Sequence, residues 1–206
     1  MQDLKTAVIQ FKNENKLAIL ITTVFFFIIF YVSFFHNLNF AEPSGIFYYL
    51  AGEEVLKGNA ENLGIAGGPI GGPLLHATLG NLLGDAFTAG KIISLISGTG
   101  IVFLSYFITK NLFDKKVALV TQLFFAVSAK IAFLSVMVLN EIAPLFFIFV
   151  SLYFITKKQK TIPDFLLIGF FLAISFWIRY QSVIILIAFL IFLLIFERKK
   201  ILKFKQ

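Results

Sequence analysis

The sequence has no cysteine, a single tryptophan and only 11 acidic residues among 206, and charged residues make up 14% of it. Without cysteine there are neither disulfides nor thiolate metal sites. Soluble domains carry about 25% charged and 45–50% apolar residues, whereas here 59% are hydrophobic and the mean hydropathy is +0.91. That balance excludes a soluble globular domain and identifies a membrane protein. No Asn-x-Ser/Thr glycosylation acceptor occurs.

What the chain does have is a series of apolar runs that recurs to its C-terminus. A secretory signal would contribute one run of about 7–15 residues ahead of a soluble body, so the first run, Leu17 to Phe35, is read as a retained anchor. A bilayer core about 30 Å thick needs roughly 20 helical residues. On that measure the expected spans are Leu17 to Phe35, Gly90 to Thr109, Val117 to Val136, Glu141 to Thr156, Ile162 to Ile178 and Ser182 to Phe196. The third and fourth are separated by little, since Val117 to Thr156 is broken only by Lys130, Asn140, Glu141 and Pro144.

A net charge of +7 would point to nucleic acid in a soluble protein, but in a membrane protein its placement decides. The basic residues fall in four clusters: Lys5, Lys12 and Lys16; Lys110, Lys115 and Lys116; Lys157, Lys158 and Lys160; and Arg198, Lys199, Lys200, Lys203 and Lys205. With both termini in the cytoplasm, all four clusters lie inside, as the positive-inside rule requires of six spans. The alternate loops carry Glu42, Glu53, Glu54, Glu61, Asp85 and Glu141. No nucleic-acid partner is expected. The repeated "YFITK" at Tyr106 to Lys110 and Tyr153 to Lys157 reads as two helices ending at one interface, aromatics at headgroup level and lysine beyond them, rather than as a duplication.

The expected fold is therefore an all-α integral membrane domain over 1–206, with about six transmembrane helices, an outer loop at 36–86 and a basic cytoplasmic tail at 198–206. Two short interfacial helices are expected in that loop. One starts at Pro43-Ser44, with Phe47, Tyr48, Ala51 and Val55 on one face, a Glu53–Lys57 pair and a stop at Gly58-Asn59. The other starts at Pro73, with Leu75, Leu79, Leu82 and Leu83 on one face and His76, Thr78 and Asn81 off it.

"GDAFTAGK" is not a nucleotide loop: five residues rather than four separate Gly84 from Gly90, and Ile92 follows Lys91 where Ser or Thr would hold magnesium. The intramembrane charges say more, because each costs at least about 2.5–3.5 kcal/mol at membrane depth. Glu42, Lys130, Glu141 and Arg179 are all expected near the outer ends of spans, with His36 and His76 close by. Two carboxylates and two cations suit an anionic substrate: the cations, or a divalent metal held by Glu42 and Glu141, neutralise a phosphate while one carboxylate takes a proton. Headgroup contact explains Lys130 equally well, and Glu141 after Asn140 also suits the positive end of a helix dipole.

The order of these features resembles the N-terminal half of GT-C superfamily membrane glycosyltransferases, the branch of protein mannosyltransferases and lipid A aminoarabinose transferases. The resemblance rests on "AEPSGIFYYLAGEEVLKGN", "GGPLLHATLGNLLGDAFTAGKIISLISG", "NLFDKKVALVTQLFFAVSAK", "NEIAPLFFIFVSLYFITKK" and "IGFFLAISFWIRYQSVIIL". It implies transfer of a sugar from a polyprenyl-phosphate-linked donor to an acceptor on the outer face, with a divalent metal, Mg or Mn, in many members. It assigns Glu42 and Glu141 to the two acidic positions, the first acid acting as base or metal-site residue, and Arg179 to the lipid phosphate; Glu42 and Glu141 are thus the catalytic and metal candidates, and from the charges themselves Lys130 and His76 join Arg179 as phosphate-binding candidates. The family places Asp where this chain has Ala41-Glu42-Pro43, and its members run to twice this length or more. The alternative is accordingly a non-catalytic subunit, or a truncated relative, that binds lipid phosphate or a membrane-protein partner.

Overall fold

A computed structural model describes residues 10–11, 13–36, 43–59, 61, 68–185, 187, 188 and 191. Among them there is no strand. The helices are α1 (Lys16–Phe35), α2 (Pro43–Leu56), α3 (Gly71–Leu83), α4 (Ala86–Leu112), α5 (Lys115–Val127), α6 (Ala129–Val136), α7 (Ile142–Thr156) and α8 (Ile162–Ile178), and a 3-10 turn follows at Tyr180–Ser182.

Helix starts follow local chemistry. Asp85 caps α4 by accepting from the Thr88 N–H at 2.6 Å, and Asp114 caps α5 by accepting from Lys116 and Val117. Ser128 stops α5 in an extended conformation and starts α6, its Oγ accepting from the Ile131 N–H. The break bends the pair by 55°. At Gly84 the backbone turns left-handed (φ 97), closing α3 against the Gly80 carbonyl one residue before the cap of α4.

By length and composition, α1 and α4 can cross a membrane, and α5 with α6 makes a third span if the bent pair is one unit. Helices α7 and α8 are apolar but shorter, at 15 and 17 residues. The described helices thus give two or three spans by this measure where the sequence predicts six, and much of the last expected span, Ser182 to Phe196, lies outside the described residues.

Contacts at helix ends define the two ends of the bundle. At one, Asn15 Oδ1 before α1 accepts from Tyr106 Oη and Lys110 Nζ near the end of α4, and Lys157 after α7 pairs with Asp164 of α8. At the other, Lys91 of α4 donates to the Ser33 carbonyl of α1. Between them Phe25, Ile29, Leu95, Ile101, Val102, Ile131, Leu134 and Ile142 form a continuous core. Gln122, fully buried, ties α5 to α1 by donating to the Ala18 carbonyl and Thr22 Oγ1, both at 2.9 Å.

The faces of α2 and α3 differ from expectation. In α3 the buried face is Gly72, Pro73, His76, Ala77 and Gly80, while Leu82 and Leu83 are exposed. In α2 Gly45, Ala51 and Gly52 are buried and Phe47 is exposed. The physical reason is that helices surrounded by lipid gain nothing from hiding leucine, and approach closely through small residues instead. Two charge expectations also change. Lys57, expected to pair with Glu53, pairs with Glu54, and Glu53 reaches across to accept from the Ala86 N–H at 2.5 Å, a second carboxylate at the start of α4.

Candidate functional site

The end opposite the Asn15–Lys110 and Lys157–Asp164 contacts is built by the α7–α8 hairpin. Between α6 and α7 the chain leaves helical geometry at Met137, whose ψ is 144, and α7 starts after Glu141. Helix α8 ends at Arg179, which is extended (φ −150, ψ 115) and bonds its N–H to the Ser175 carbonyl. Because the two helices run antiparallel, Arg179 Nη1 lies 3.2 Å from Glu141 Oε1, with the side chains 35% and 36% exposed. An ion pair this exposed contributes about 0–1 kcal/mol, so it orients the two groups more than it holds the hairpin. Below it the Ser175 hydroxyl donates to the Pro144 carbonyl at 3.0 Å and shares a hydrogen bond with Ser182 Oγ at 2.8 Å.

The first turn of α3 abuts this hairpin. A Cβ on Gly71 would stand 2.5 Å from the Trp177 carbonyl oxygen, and one on Gly72 would overlap the Asn140 amide. Only glycine admits so close an approach. Asn140 is 4% exposed, and its Nδ2 has no hydrogen-bond partner. The uncapped start of α3 therefore packs on the Asn140 amide and on Trp177, the residues that lead in sequence to the Glu141–Arg179 pair. Such a set favours an anion.

Of the residues expected at the site, Glu141 and Arg179 come together. His76 does not join them as a cation: it is 2% exposed, wedged between Gly52 of α2 and Gly90 of α4, and its Nδ1 has no partner. Burial lowers its pKa from 6.5 to about 4, so the imidazole is neutral at pH 7. Lys130 is also separate. Expected near the end of a span, it instead follows the helix break, where Ile131 and Leu134 pack beside Phe25 and Ile29 of α1, and its Nζ lies 5.9 Å from the Phe133 ring centroid. Glu42 lies outside the described residues. Among the described residues no three of His, Cys, Asp and Glu gather, and the Glu141 carboxylate faces Arg179, so these residues alone do not compose a metal site.

Gly71 and Gly72 belong to the stretch "GGPIGGP", which reads from sequence as a mobile loop but instead supplies the buried first turn of α3, and Asn140, expected only to precede a helix start, packs against Gly72. The available signals were an amide inside an apolar run, directly before Glu141, and a Gly-Gly pair directly before Pro73.

No curated protein sequence and no solved structure matches the chain. A family model described as dolichyl-phosphate-mannose-protein mannosyltransferase matches residues 68–206, which include α3 to α8 with His76, Lys130, Asn140, Glu141 and Arg179. Since that match covers more than half of the sequence, the chain belongs to the dolichyl-phosphate-mannose-protein mannosyltransferase family, membrane glycosyltransferases of the GT-C class.

Proposed function

We propose that the protein transfers a sugar from a polyprenyl-phosphate-linked donor to an acceptor at the outer membrane face, from a six-span arrangement with both termini in the cytoplasm. The observation that carries this reading is the Glu141–Arg179 pair, set at the bundle end away from the Lys110 and Lys157 contacts. A donor phosphate arriving there competes for the Arg179 guanidinium, whose planar fork matches phosphate oxygens in a bidentate way. Glu141 is then released. The acceptor hydroxyl attacks the anomeric carbon, its oxygen forming the new glycosidic bond as the bond to the phosphate oxygen breaks. The hydroxyl proton passes to a carboxylate, Glu42 or Glu141, and the polyprenyl phosphate leaves with its charge held by Arg179 and the Asn140 amide.

The test is sugar transfer in membranes carrying the full chain, with a labelled polyprenyl-phosphate sugar. Arg179→Gln, Glu141→Gln and Glu42→Gln are each expected to reduce turnover by roughly 100-fold. Wild-type rates in all three would overturn the assignment. The pairing of Glu141 also suits a second reading, a non-catalytic subunit in which the ion pair is only a clasp. In that case the purified wild-type chain turns over no donor alone, and transfer depends on a second membrane protein.

A further inference from the structure

Lys130 belongs to none of the contacts at either end of the bundle. It stands in the first turn of α6, just past the break at Ser128, and its side chain is exposed. Its level is set by its neighbours, because Ile131 and Leu134 pack against Phe25 and Ile29, near the middle of α1. From Phe25 and Ile29 the ends of α1 are roughly 9–20 Å away at 1.5 Å per residue, farther than one lysine side chain extends. The ammonium meets the face of Phe133, and among the described residues no carboxylate pairs with it.

The surface around it has shape. Between α1 and α6 lies an apolar hollow of about 410 Å3, walled by Ile28, Val32, Phe133, Val136 and Met137. A second, of about 330 Å3, lies between α1 and α5 and shares Ile28, Ile29 and Ala132 with the first. The two form one apolar furrow along α1, and Lys130 stands beside it, its ammonium 5.9 Å from the ring centroid of Phe133, which walls the first hollow. A charge at that depth is retained where something compensates it. A carboxylate on a helix does so with its own backbone bonds already satisfied, whereas a lipid phosphate would have to leave the headgroup layer to reach it.

We propose that the α1–α6 face docks a transmembrane helix of another membrane protein that carries one Asp or Glu at mid-depth, with that carboxylate paired to Lys130. Side chains of the incoming helix fill the two hollows, and the ion pair sets its register. The proposal requires only that α1 and the α5–α6 pair cross the membrane, so it stands or falls separately from the sugar-transfer reading.

The test reconstitutes the full chain in phosphatidylcholine vesicles with a 21-residue leucine-rich transmembrane peptide bearing a central Glu, or the same peptide with Gln, and reads association by energy transfer. The Glu peptide is expected to bind about three- to tenfold more tightly. Lys130→Gln should abolish the preference and Lys130→Arg should keep it, with circular dichroism showing that both variants retain their helices. A Lys130→Glu chain should in turn prefer a peptide with a central Lys. Equal binding of the Glu and Gln peptides by the wild-type chain overturns the proposal, as does a preference that survives Lys130→Gln. Native mass spectrometry in which phosphatidylglycerol, rather than the Glu peptide, is held in a Lys130-dependent way also overturns it, in favour of a lipid.

Discussion

The two ends of the bundle are finished differently. At one, Asp164 accepts from Lys157 Nζ at 2.7 Å and from both the N–H and the hydroxyl of Thr161 at 2.8 Å, and Asn15 receives Tyr106 and Lys110. At the other, Ser33, His76, Ser94 and Asn140 each bury a polar atom without a partner, as Thr99 and Gln122 do elsewhere in the bundle, and the Glu141–Arg179 pair is longer and a third exposed. Groups left with spare hydrogen-bonding capacity cost stability unless something binds them. The first end is tied by complete hydrogen-bond sets, and the second keeps the spare capacity that the proposed function requires of a ligand site.

The largest way to break this contrast is to remove a cation from each end. Arg179→Ala is expected to lower sugar transfer in membranes by roughly 100-fold, while Lys157→Ala leaves the rate near that of the wild type; equal losses would erase the distinction. Next comes close approach. Gly71→Ala sets a Cβ 2.5 Å from the Trp177 carbonyl and is expected to cost about 1–3 kcal/mol in thermal unfolding in detergent. Gly169→Ala in α8, with nothing within 4 Å, should instead stabilise by up to about 1 kcal/mol.

Acid should loosen the ligand-facing end selectively. His76 has its ordinary pKa of 6.5 when α3 is undocked and about 4 when docked, so the docked form binds fewer protons between those values. Docking is therefore at full strength above about pH 6.5 and weakens as pH falls towards 4. The loss from pH 7 to pH 5 is about 2 kcal/mol, measurable as proteolytic cleavage around α3, and His76→Phe should remove the pH dependence. Smallest is Asp164→Asn, expected to lower the melting temperature by several degrees while leaving transfer unchanged.

How much of this was legible depended on whether the deciding contact was local. The run Ile162 to Ile178 and the start of α1 near Leu17 follow from apolar length bounded by charge, and the helices match these bounds to within a residue. Glu141 and Arg179 could be brought together from sequence because alternating helix direction puts the start of one and the end of the next at one level. The break at Ser128 was hidden, since a serine inside an apolar run reads as helix until its hydroxyl is seen to cap the next turn. Glu53 and His76 were misplaced because their partners, Ala86 and Gly90, sit on another helix, and a helix's own pattern does not say which face a neighbour approaches.

The lengths of α7 and α8 carry one more consequence. At 15 and 17 residues they rise about 22 and 26 Å, against about 40 Å for the 27 residues of α4 and a hydrocarbon core of about 30 Å. In the six-span arrangement the bilayer must thin beside the α7–α8 hairpin to match it. Headgroups would then dip towards Glu141 and Arg179, and under the proposed function the membrane itself would form the funnel for a lipid-borne phosphate.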